Sequence, residues 1–459
     1  MTDVTKKIAK FASAISLESI PNEAIVRTQM FILDNVGIML RAYYDAESTP
    51  ALLSGAIAQG LDNGSSIAIG DSRGFAPPGA ALINGTLAHS LDFDDTHAAS
   101  SLHPSAPIVP AALAAAEMVG ATGKELIPAI IAGYEIQIRL SLALNPTDHY
   151  NRGFHPTVTC GVFGAAAAAG RIFGLDAEKM ALAFGIALSQ SAGSMQFLVD
   201  GAWMKRYHVG HAAMCGLMAA TFAREGFRGA IDAFEGKYGF FQAYAPNPDP
   251  QKAIAGLGNY WETLAIAIKP YPSCRYSHAA LDALINLRTV NDFKLDEIDS
   301  VLIGLPETGW KIIGDPEESK HKPNSTVDGQ FSMPFCAAVA LMEGGLAWDH
   351  YASHIGNKKT LQMCERIKTN VDPRAENEFP ENFSGVVKVT TTKGEFEEFV
   401  VVPKGEPDNF LNPSELRAKF DSLVSPYLPI AQVDELATRL SSILKENDIK
   451  EVLNLTRSI

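Results

Sequence analysis

The sequence predicts a mainly α-helical protein, with a large all-helical domain that is discontinuous along the chain and a smaller α+β domain. Three observations predict it. Helical patterns dominate residues 1–265, strand-like alternation is confined to 266–404, and helical patterns return over 405–459. A chain of 459 residues is also longer than one compact core usually holds, so we expect two domains.

The first domain, residues 1–265, is predicted from helical periodicity and from alanine-rich runs. The runs at 111–118, 163–170 and 212–223 favour closely packed helices, because alanine has the highest helix propensity. Pro21 marks a helix start, and apolar side chains recur behind it at helical spacing. This periodic set is Ile25, Met30, Leu33, Val36 and Leu40.

The second domain, residues 266–404, mixes strands with helices. Residues 386–403 predict two strands that meet in a hairpin around Lys393 and Gly394. A further strand and two helices are predicted from the alternation of Val301, Ile303 and Leu305 and from helical segments near 279–288 and 335–345.

Residues 405–459 return to helical patterns. Asn412 is a suitable cap, Pro413 suits the first helical position, and Glu415 completes a capping-box pattern. A second amphipathic stripe follows, and we expect this tail to pack back onto the first domain. The stripe consists of Val433, Leu436, Leu440 and Ile443.

Composition excludes several classes of function. The formal charge of −14 argues against nucleic-acid or anionic-membrane partners, which need a basic face, but it permits a small anion held by a local group of cations. No run of about 20 apolar residues predicts a membrane span. The N-terminus lacks the pattern of a secretory signal. The five cysteines show no CxxC spacing, so we expect no zinc or iron–sulfur site and a cytoplasmic location.

The densest group of chemically active side chains lies in residues 84–105, at the end of a predicted helix over 81–91 and in the loop after it. From these residues alone, three interpretations stay open. The DxDxT pattern occurs in phosphatases that form an aspartyl phosphate, an aspartate-rich turn binds Mg²⁺, and buried aspartates cap helices or bond loop amides. The side chains in question are Asp92, Asp94, Asp95, Thr96 and His103.

Three further segments place basic side chains in Gly-, Ala- and Pro-rich surroundings. His155 lies in the GFHPT segment at 153–157, where a purely structural histidine is the alternative. In 204–211, a solvated helix face is the alternative, and a metal site at its two histidines lacks an HExxH pattern. Residues 269–278 lie at the domain junction, a common place for ligand clefts. The side chains of the last two segments are Lys205, Arg206, His208, His211, Lys269, Cys274, Arg275 and His278.

No GxGxxG pattern follows a strand and no complete phosphate loop is present, so no nucleotide cofactor is indicated. Taken in order, the segments resemble the MmgE/PrpD family. The resemblance extends over nearly the whole chain and is most specific in the combination of LDFDDT…HPS with GFHPT. Its other blocks are Asp34-Asn35-Val36-Gly37, Gly133-Tyr134-Glu135, Lys205-Arg206 with Gly210, Gly226-Phe227, Glu235-Gly236 with Gly239-Phe240, the 269–278 segment and Gln330-Phe331-Ser332-Met333-Pro334.

The resemblance implies a large helical domain, a smaller α+β lid domain, a homodimer, and catalysis without a metal or an organic cofactor. Two positions depart from the decarboxylase branch of the family, where Cys274 stands in place of a histidine and Met333 in place of a tyrosine. Carried over by motif, the site comprises Asp92, Thr96, His103, His155, Lys205 and Lys269, with Arg206, His278, Cys274 and Met333 as further substrate contacts.

Members of this family dehydrate, decarboxylate or epimerise small polycarboxylates, and all three reactions pass near a carbanion next to a carboxylate. Such a carbon acid needs a positioned base and fixed cations. We therefore predict His103, His155, Lys205 and Asp92 as catalytic residues of a hydro-lyase that resembles 2-methylcitrate dehydratase. An epimerase of a dicarboxylate, a cis-aconitate decarboxylase-like enzyme and a non-catalytic carboxylate-binding protein are the alternatives.

Overall fold

The computed structural model describes residues 3–457, and the chain folds as two compact units. One unit contains the chain up to Ala267 together with the chain from Pro413 onward, and the other runs from Ile268 to Asn412. Sequence patterns had placed these boundaries after 265 and after 404. The second boundary lies further on because residues after 404 pair with the start of the second unit, where Ile268 N–H donates to Gly405 O at 3.0 Å.

The first unit is built of closely packed helices, as the alanine-rich runs predict. Two of them, α4 (Pro77–Ala88) and α12 (Met204–Arg224), cross at a pair of glycines, since a Cβ on Gly85 would lie 2.7 Å from Gly210 Cα. This close approach brings the end of α4 next to the start of α12. The helices of the unit are α1 (Val4–Ala14), α2 (Asn22–Asp45), α3 (Thr49–Ala58), α4 (Pro77–Ala88), α5 (Ser105–Val119), α6 (Gly123–Leu144), α7 (Pro146–Asn151), α8 (Pro156–Thr159), α9 (Gly161–Ile172), α10 (Ala177–Leu188), α11 (Phe197–Asp200), α12 (Met204–Arg224), α13 (Phe240–Tyr244), α22 (Pro413–Val424), α23 (Ile430–Ser441) and α24 (Ile449–Leu453).

Two short antiparallel ladders tie loops of this unit to each other. The first joins β1 (Ser66–Ile67) to β2 (Gly74–Phe75), and the second joins β3 (Thr96–His97) to β4 (Ile266–Ala267). The second ladder matters for function, because it fixes the middle of the loop between α4 and α5.

Helix α6 is long and apolar enough to cross a bilayer by length and composition. Of its most apolar window, 94% is buried inside the fold, so α6 is a core helix of the first unit. Neighbouring helices surround α6, so it carries apolar side chains on all of its faces.

Two of the C-terminal helices, α22 and α23, complete the first unit by packing on α2. The Phe420 ring of α22 lies over Gly37, where an added Cβ would approach it to 2.9 Å. Val433, Leu436 and Leu440 of α23 are fully buried, so the apolar stripe of the sequence forms the inner face of this helix. Residues from the far end of the chain thereby support α2, which carries Asp34.

The second unit is a four-stranded mixed sheet with helices, as the alternating patterns predict. The strand order is β6-β5-β7-β8, with β5 parallel to β6 and antiparallel to β7. Strands β7 and β8 form the hairpin, where Thr391 pairs with Gly394. The elements are β5 (Ile298–Leu305), β6 (Ile367–Val371), β7 (Gly385–Thr391), β8 (Gly394–Val400), α14 (His278–Asn291), α15 (Glu307–Ile313), α16 (Glu317–His321), α17 (Thr326–Gln330), α18 (Met333–Glu343), α19 (His350–His354), α20 (Lys358–Cys364) and α21 (Pro373–Glu378).

Candidate active site

The loop between α4 and α5 carries most of the candidate site. Helix α4 ends at Ala88, so the predicted helix over 81–91 stops earlier and the aspartates lie in the loop. Asp92 adopts a left-handed backbone conformation with φ of 52°. Non-glycine residues adopt this conformation at a cost, and such residues concentrate at functional sites. The β3–β4 ladder holds the loop in place just beyond this residue.

Asp94 lies at the centre of the loop, between two imidazole rings. His89 Nδ1 is hydrogen-bonded to Asp94 Oδ2 at 2.8 Å, and His103 Nδ1 lies 3.1 Å from the same oxygen. The two rings meet edge to face at 4.4 Å. Burial alone would raise the pKa of the Asp94 carboxyl, but the two histidines outweigh burial and hold this pKa well below its ordinary value. Asp94 is therefore ionised at neutral pH.

Two more histidines continue this group into the first unit. His155 precedes α8, and its backbone N–H donates to Gly193 O at 3.0 Å. Its ring lies 6.1 Å from that of His89 and 5.7 Å from that of His208, and Phe197 packs on both His155 and His208. Burial holds the pKa of His155 well below its ordinary value and lowers the pKa of His89 and of His208 to about 4. These three rings are therefore neutral at neutral pH.

Lys205 supplies the positive charge beside the histidines. Its Nζ lies 2.8 Å from Asp92 Oδ1, and the side chains remain 34% and 19% exposed, so a ligand has access to both. Burial disfavours the ammonium, but the charge of Asp92 outweighs it and raises the pKa of Lys205. The same positive charge also lowers the pKa of His89 and of His155, which places Lys205 within electrostatic reach of these rings.

Asp95, next to Asp94, faces a different environment. It is fully buried and accepts hydrogen bonds from the backbone N–H of Ser105 at 3.1 Å and from the Ser105 hydroxyl. Burial, with the charges of Asp94 and Asp34, raises the pKa of Asp95 to about 8. Two adjacent carboxyl groups thus differ in charge at neutral pH, and Asp95 has a structural role at the start of α5.

Lys419 of α22 also contacts the loop between α4 and α5. Its Nζ lies 2.6 Å from Asp34 Oδ1, donates to Phe93 O at 3.1 Å and lies 3.8 Å from the centre of the Phe93 ring. Both charged side chains are buried, and burial raises the pKa of Asp34 to about 6. The backbone next to Asp94 is therefore fixed by a residue more than 300 positions away in the sequence.

Arg206 points away from this group. Its guanidinium lies 3.4 Å from Ser48 Oγ and 4.0 Å from Glu47. It lines a mostly apolar cavity of about 300 Å³ between α3, α4 and α12. Lys205, its neighbour in sequence, is not among the lining residues, so the structure separates two cations that the sequence places side by side.

The remaining predicted contacts are distributed over both units. Thr96 lies on β3 and its hydroxyl has no hydrogen-bond partner within residues 3–457. In the second unit, Cys274 and His278 are buried, and His278 Nε2 is within 3.3 Å of Ser273 O. Met333 is fully buried in the apolar core of the second unit, where packing accounts for it. The assignment of these residues and of Lys269, also in the second unit, to substrate binding stays a prediction.

The aspartates do not assemble the sites that the short motifs suggested. Asp92 pairs with Lys205 and Asp94 with histidines, so the two carboxylates do not converge on one cation. The element before them is helix α4 and not the buried strand that the phosphatase motif requires. His89, Asp94 and His103 do bring three potential metal-ligand atoms within 4.8 Å of one another, a donor set that suits a divalent ion.

Three members of the site were not assigned from the sequence: His89, His208 and the central role of Asp94. His89 lies within the 84–105 segment, but the sequence assigns it no role. His208 follows Lys205 by three positions on α12, which directs both side chains towards the same side of that helix. The sequence offered these spacings but no partner for either ring.

Comparisons with known proteins agree with the arrangement of segments. The model of the MmgE/PrpD N-terminal domain matches residues 6–253, and that of the MmgE/PrpD C-terminal domain matches residues 271–442. The chain is 27% identical to the cis-aconitate decarboxylase-like protein oryM of Aspergillus oryzae, over 99% of this chain and 97% of the relative. It is 26% identical to the cis-aconitate decarboxylase of Aspergillus terreus, over 98% and 95%, and 26% identical to that of Homo sapiens, over 81% and 78%.

Proposed function

The chain belongs to the MmgE/PrpD family, and from this premise we propose that it is a lyase that breaks a bond next to a carboxylate of a small polycarboxylate. The observation that carries the proposal is the buried Asp94 carboxylate beside the Nδ1 atoms of His89 and His103, close to the Lys205–Asp92 pair. A positioned imidazole and a fixed cation are what abstraction of a proton next to a carboxylate requires.

The reaction that we propose first is dehydration of a hydroxy tricarboxylate of the 2-methylcitrate type. His103 Nε2 takes the proton from the carbon next to a carboxylate. The electron pair of that C–H bond forms the carbon–carbon double bond as the neighbouring C–O bond breaks. The protonated His103 then returns the proton to the departing hydroxide, so water leaves and the imidazole is restored.

The charges of the first unit support the other roles that we propose. Because His89, His155 and His208 are neutral, they donate or accept hydrogen bonds and do not attract an anion by charge. Lys205 is the cation of this group, so we assign it to a substrate carboxylate, with Asp92 holding its ammonium in place. We assign His155 to a substrate oxygen, since its buried Nδ1 lacks a hydrogen-bond partner among the described residues.

Decarboxylation is the second candidate, and the names of the relatives favour it. In that reaction the C–CO₂ bond breaks, its electron pair stays on carbon, and a proton donor replaces the base. By the family resemblance, Cys274 and Met333 stand where the decarboxylase branch has a histidine and a tyrosine, and these two departures argue against decarboxylation. We therefore place dehydration first.

A panel of polycarboxylates in D₂O, followed by proton NMR, tests the proposal. We would include citrate, 2-methylcitrate, cis-aconitate, tartrate and substituted succinates. A new olefinic signal from a hydroxy acid supports dehydration, loss of CO₂ from cis-aconitate supports decarboxylation, and deuterium in recovered substrate without elimination supports an epimerase. Binding without turnover of any compound would refute the proposal.

Two variants connect the turnover with the site. We expect Lys205→Ala to raise KM strongly, because a substrate carboxylate loses its cation, and His155→Gln to lower kcat. The matched control is Lys124→Ala, which removes an exposed lysine from the start of α6. Wild-type kinetics in both folded variants would exclude this assignment of residues.

A further inference from the structure

Asp94 differs from the other carboxylates of the loop in serving two imidazole rings with one oxygen. His89 Nδ1 lies 2.8 Å and His103 Nδ1 3.1 Å from Asp94 Oδ2, and the side chains of Asp94 and His89 are completely buried. Solvent therefore does not supply the protons or the lone pairs of this contact. The resemblance assigns a function to Asp92 but none to Asp94 or to His89.

The protonation of this group follows from its geometry. One oxygen, Asp94 Oδ2, lies 2.8 Å from His89 Nδ1 and 3.1 Å from His103 Nδ1. A carboxylate oxygen only accepts hydrogen bonds, whereas either ring can supply a donor at Nδ1. A neutral imidazole carries one proton, and the 2.8 Å contact with a carboxylate oxygen requires that proton on Nδ1. The Nε2 atom of His89 then carries the lone pair, and it is buried with no partner among residues 3–457.

The proton of His103 also lies on Nδ1, for a similar reason. A lone pair on Nδ1 at 3.1 Å from a carboxylate oxygen would be repelled, so Nδ1 carries the hydrogen. This contact lies within ion-pair distance, but it lacks the alignment of a good hydrogen bond. Catalytic hydrogen bonds are often poorly aligned before substrate binds, and they tighten when charge develops. His103 is also the more accessible ring, with 15% of its side chain exposed.

We propose that Asp94 is the positioning residue of the base: it fixes the Nδ1–H tautomers of His89 and His103, presents His103 Nε2 to the substrate, and stabilises the imidazolium formed on proton transfer. His89 holds the carboxylate in place through the shorter contact, at 2.8 Å. His103 makes the longer contact, at 3.1 Å, to the same oxygen. The inference deepens the proposed function and rests on it for the role of His103. The other charged and titratable groups that act on Asp94, His89 or His103 are Asp34, Asp95, His155 and Lys205.

The first test reads the tautomers directly and needs no turnover. Nitrogen-15 NMR of histidine-labelled protein distinguishes Nδ1–H from Nε2–H. We expect Nδ1–H at His89 and at His103 in the wild type and in Asp95→Asn, with loss of this pattern in Asp94→Asn. The Asp95 variant is the matched control, because it removes the adjacent buried carboxyl group.

Two results would overturn the inference at this stage. One is an Nε2–H tautomer of His103 in the wild type, which can be observed even where the Asp94 variant does not fold. The other is a divalent metal that co-purifies in equal amount with the protein and changes the spectrum when it is removed by a chelator. In that case, Asp94 would be a ligand of the ion.

The second test is kinetic and uses whichever substrate the panel identifies. Removal of the carboxylate that orients a histidine base lowers kcat by about 10⁴-fold in an established case, and we expect about 10³- to 10⁴-fold for Asp94→Asn. The acid limb of the kcat/KM profile should move to lower pH, since the imidazolium loses its counter-charge. A purely structural role would leave the position of that limb unchanged.

The outcomes distinguish failure of the proposed lyase function from failure of the role proposed for Asp94. If the wild type turns over no polycarboxylate, the proposed function fails, while the NMR result still decides the role of Asp94. If a folded Asp94→Asn protein keeps the rate and pH profile of Asp95→Asn, the inference fails and the proposed function stands.

Discussion

Asp95→Asn tests the charges assigned to the loop. At neutral pH we expect Asp95 to be neutral and the neighbouring Asp94 to be ionised. The raised pKa of Asp95, about 8, compares with 3.8 for an ordinary aspartate. A group with a raised pKa in the folded state stabilises it fully below the unfolded value, and this contribution is lost as pH rises through the folded value. Asparagine is neutral at every pH and carries no such dependence.

The magnitude follows from the difference of about 4 units. At about 1.4 kcal/mol per unit the full difference is roughly 6 kcal/mol, and wild type should lose about 5 kcal/mol of it relative to Asp95→Asn between pH 4 and pH 8. Asparagine also suits the hydrogen bonds, since its carbonyl oxygen can accept from Ser105 N–H and its amide can donate to the Ser105 hydroxyl. The variant is therefore expected to be the more stable protein at pH 8.

Urea unfolding of both proteins at pH 5, 6.5 and 8 measures this difference in free energy. Asp62→Asn is the control, because Asp62 is exposed and its replacement should leave the pH dependence of wild type unchanged. Parallel curves for wild type and Asp95→Asn would contradict the prediction, because Asp95 would then be charged in the folded protein.

Three further predictions concern the support of the site, its cation and its assembly. Lys419→Met leaves Asp34 buried without its cation and should cost about 3 to 5 kcal/mol in urea unfolding at pH 7, whereas a loss below about 1 kcal/mol would contradict the buried ion pair. Lys205→Met should raise KM with a smaller change in kcat in steady-state kinetics, and an equal fall of both kcat and kcat/KM would instead place Lys205 in the chemical step. The homodimer implied by the family resemblance is tested by sedimentation velocity of the wild-type protein, and a monomer would contradict the prediction.

Much of the fold could be predicted because local patterns decide it. The apolar period behind Pro21 corresponds to α2, and the alternation at Val301, Ile303 and Leu305 corresponds to β5. The turn at Lys393 and Gly394 corresponds to the β7–β8 hairpin. These features follow from periods of 3.6 and 2 residues and from turn chemistry, which a single sequence displays.

The site could be predicted only in part, because its contacts join residues that are distant in sequence. Segments rich in histidine, lysine and aspartate were recognised, and the structure brings His103, His155, Lys205 and Asp92 into the first unit. Lys419 donates a hydrogen bond to Phe93 O across 326 positions of the sequence. No local sequence pattern predicts a contact between residues so far apart. Arg206 was grouped with Lys205 by adjacency, but consecutive positions on a helix point in different directions.

The most direct test that His103 is the base is the steady-state rate of His103→Asn on the identified substrate. General base catalysis contributes about 10²- to 10⁴-fold, so we predict a loss of kcat/KM in that range with an unchanged melting temperature. A folded His103→Asn enzyme that turns over its substrate at the wild-type rate would contradict the account.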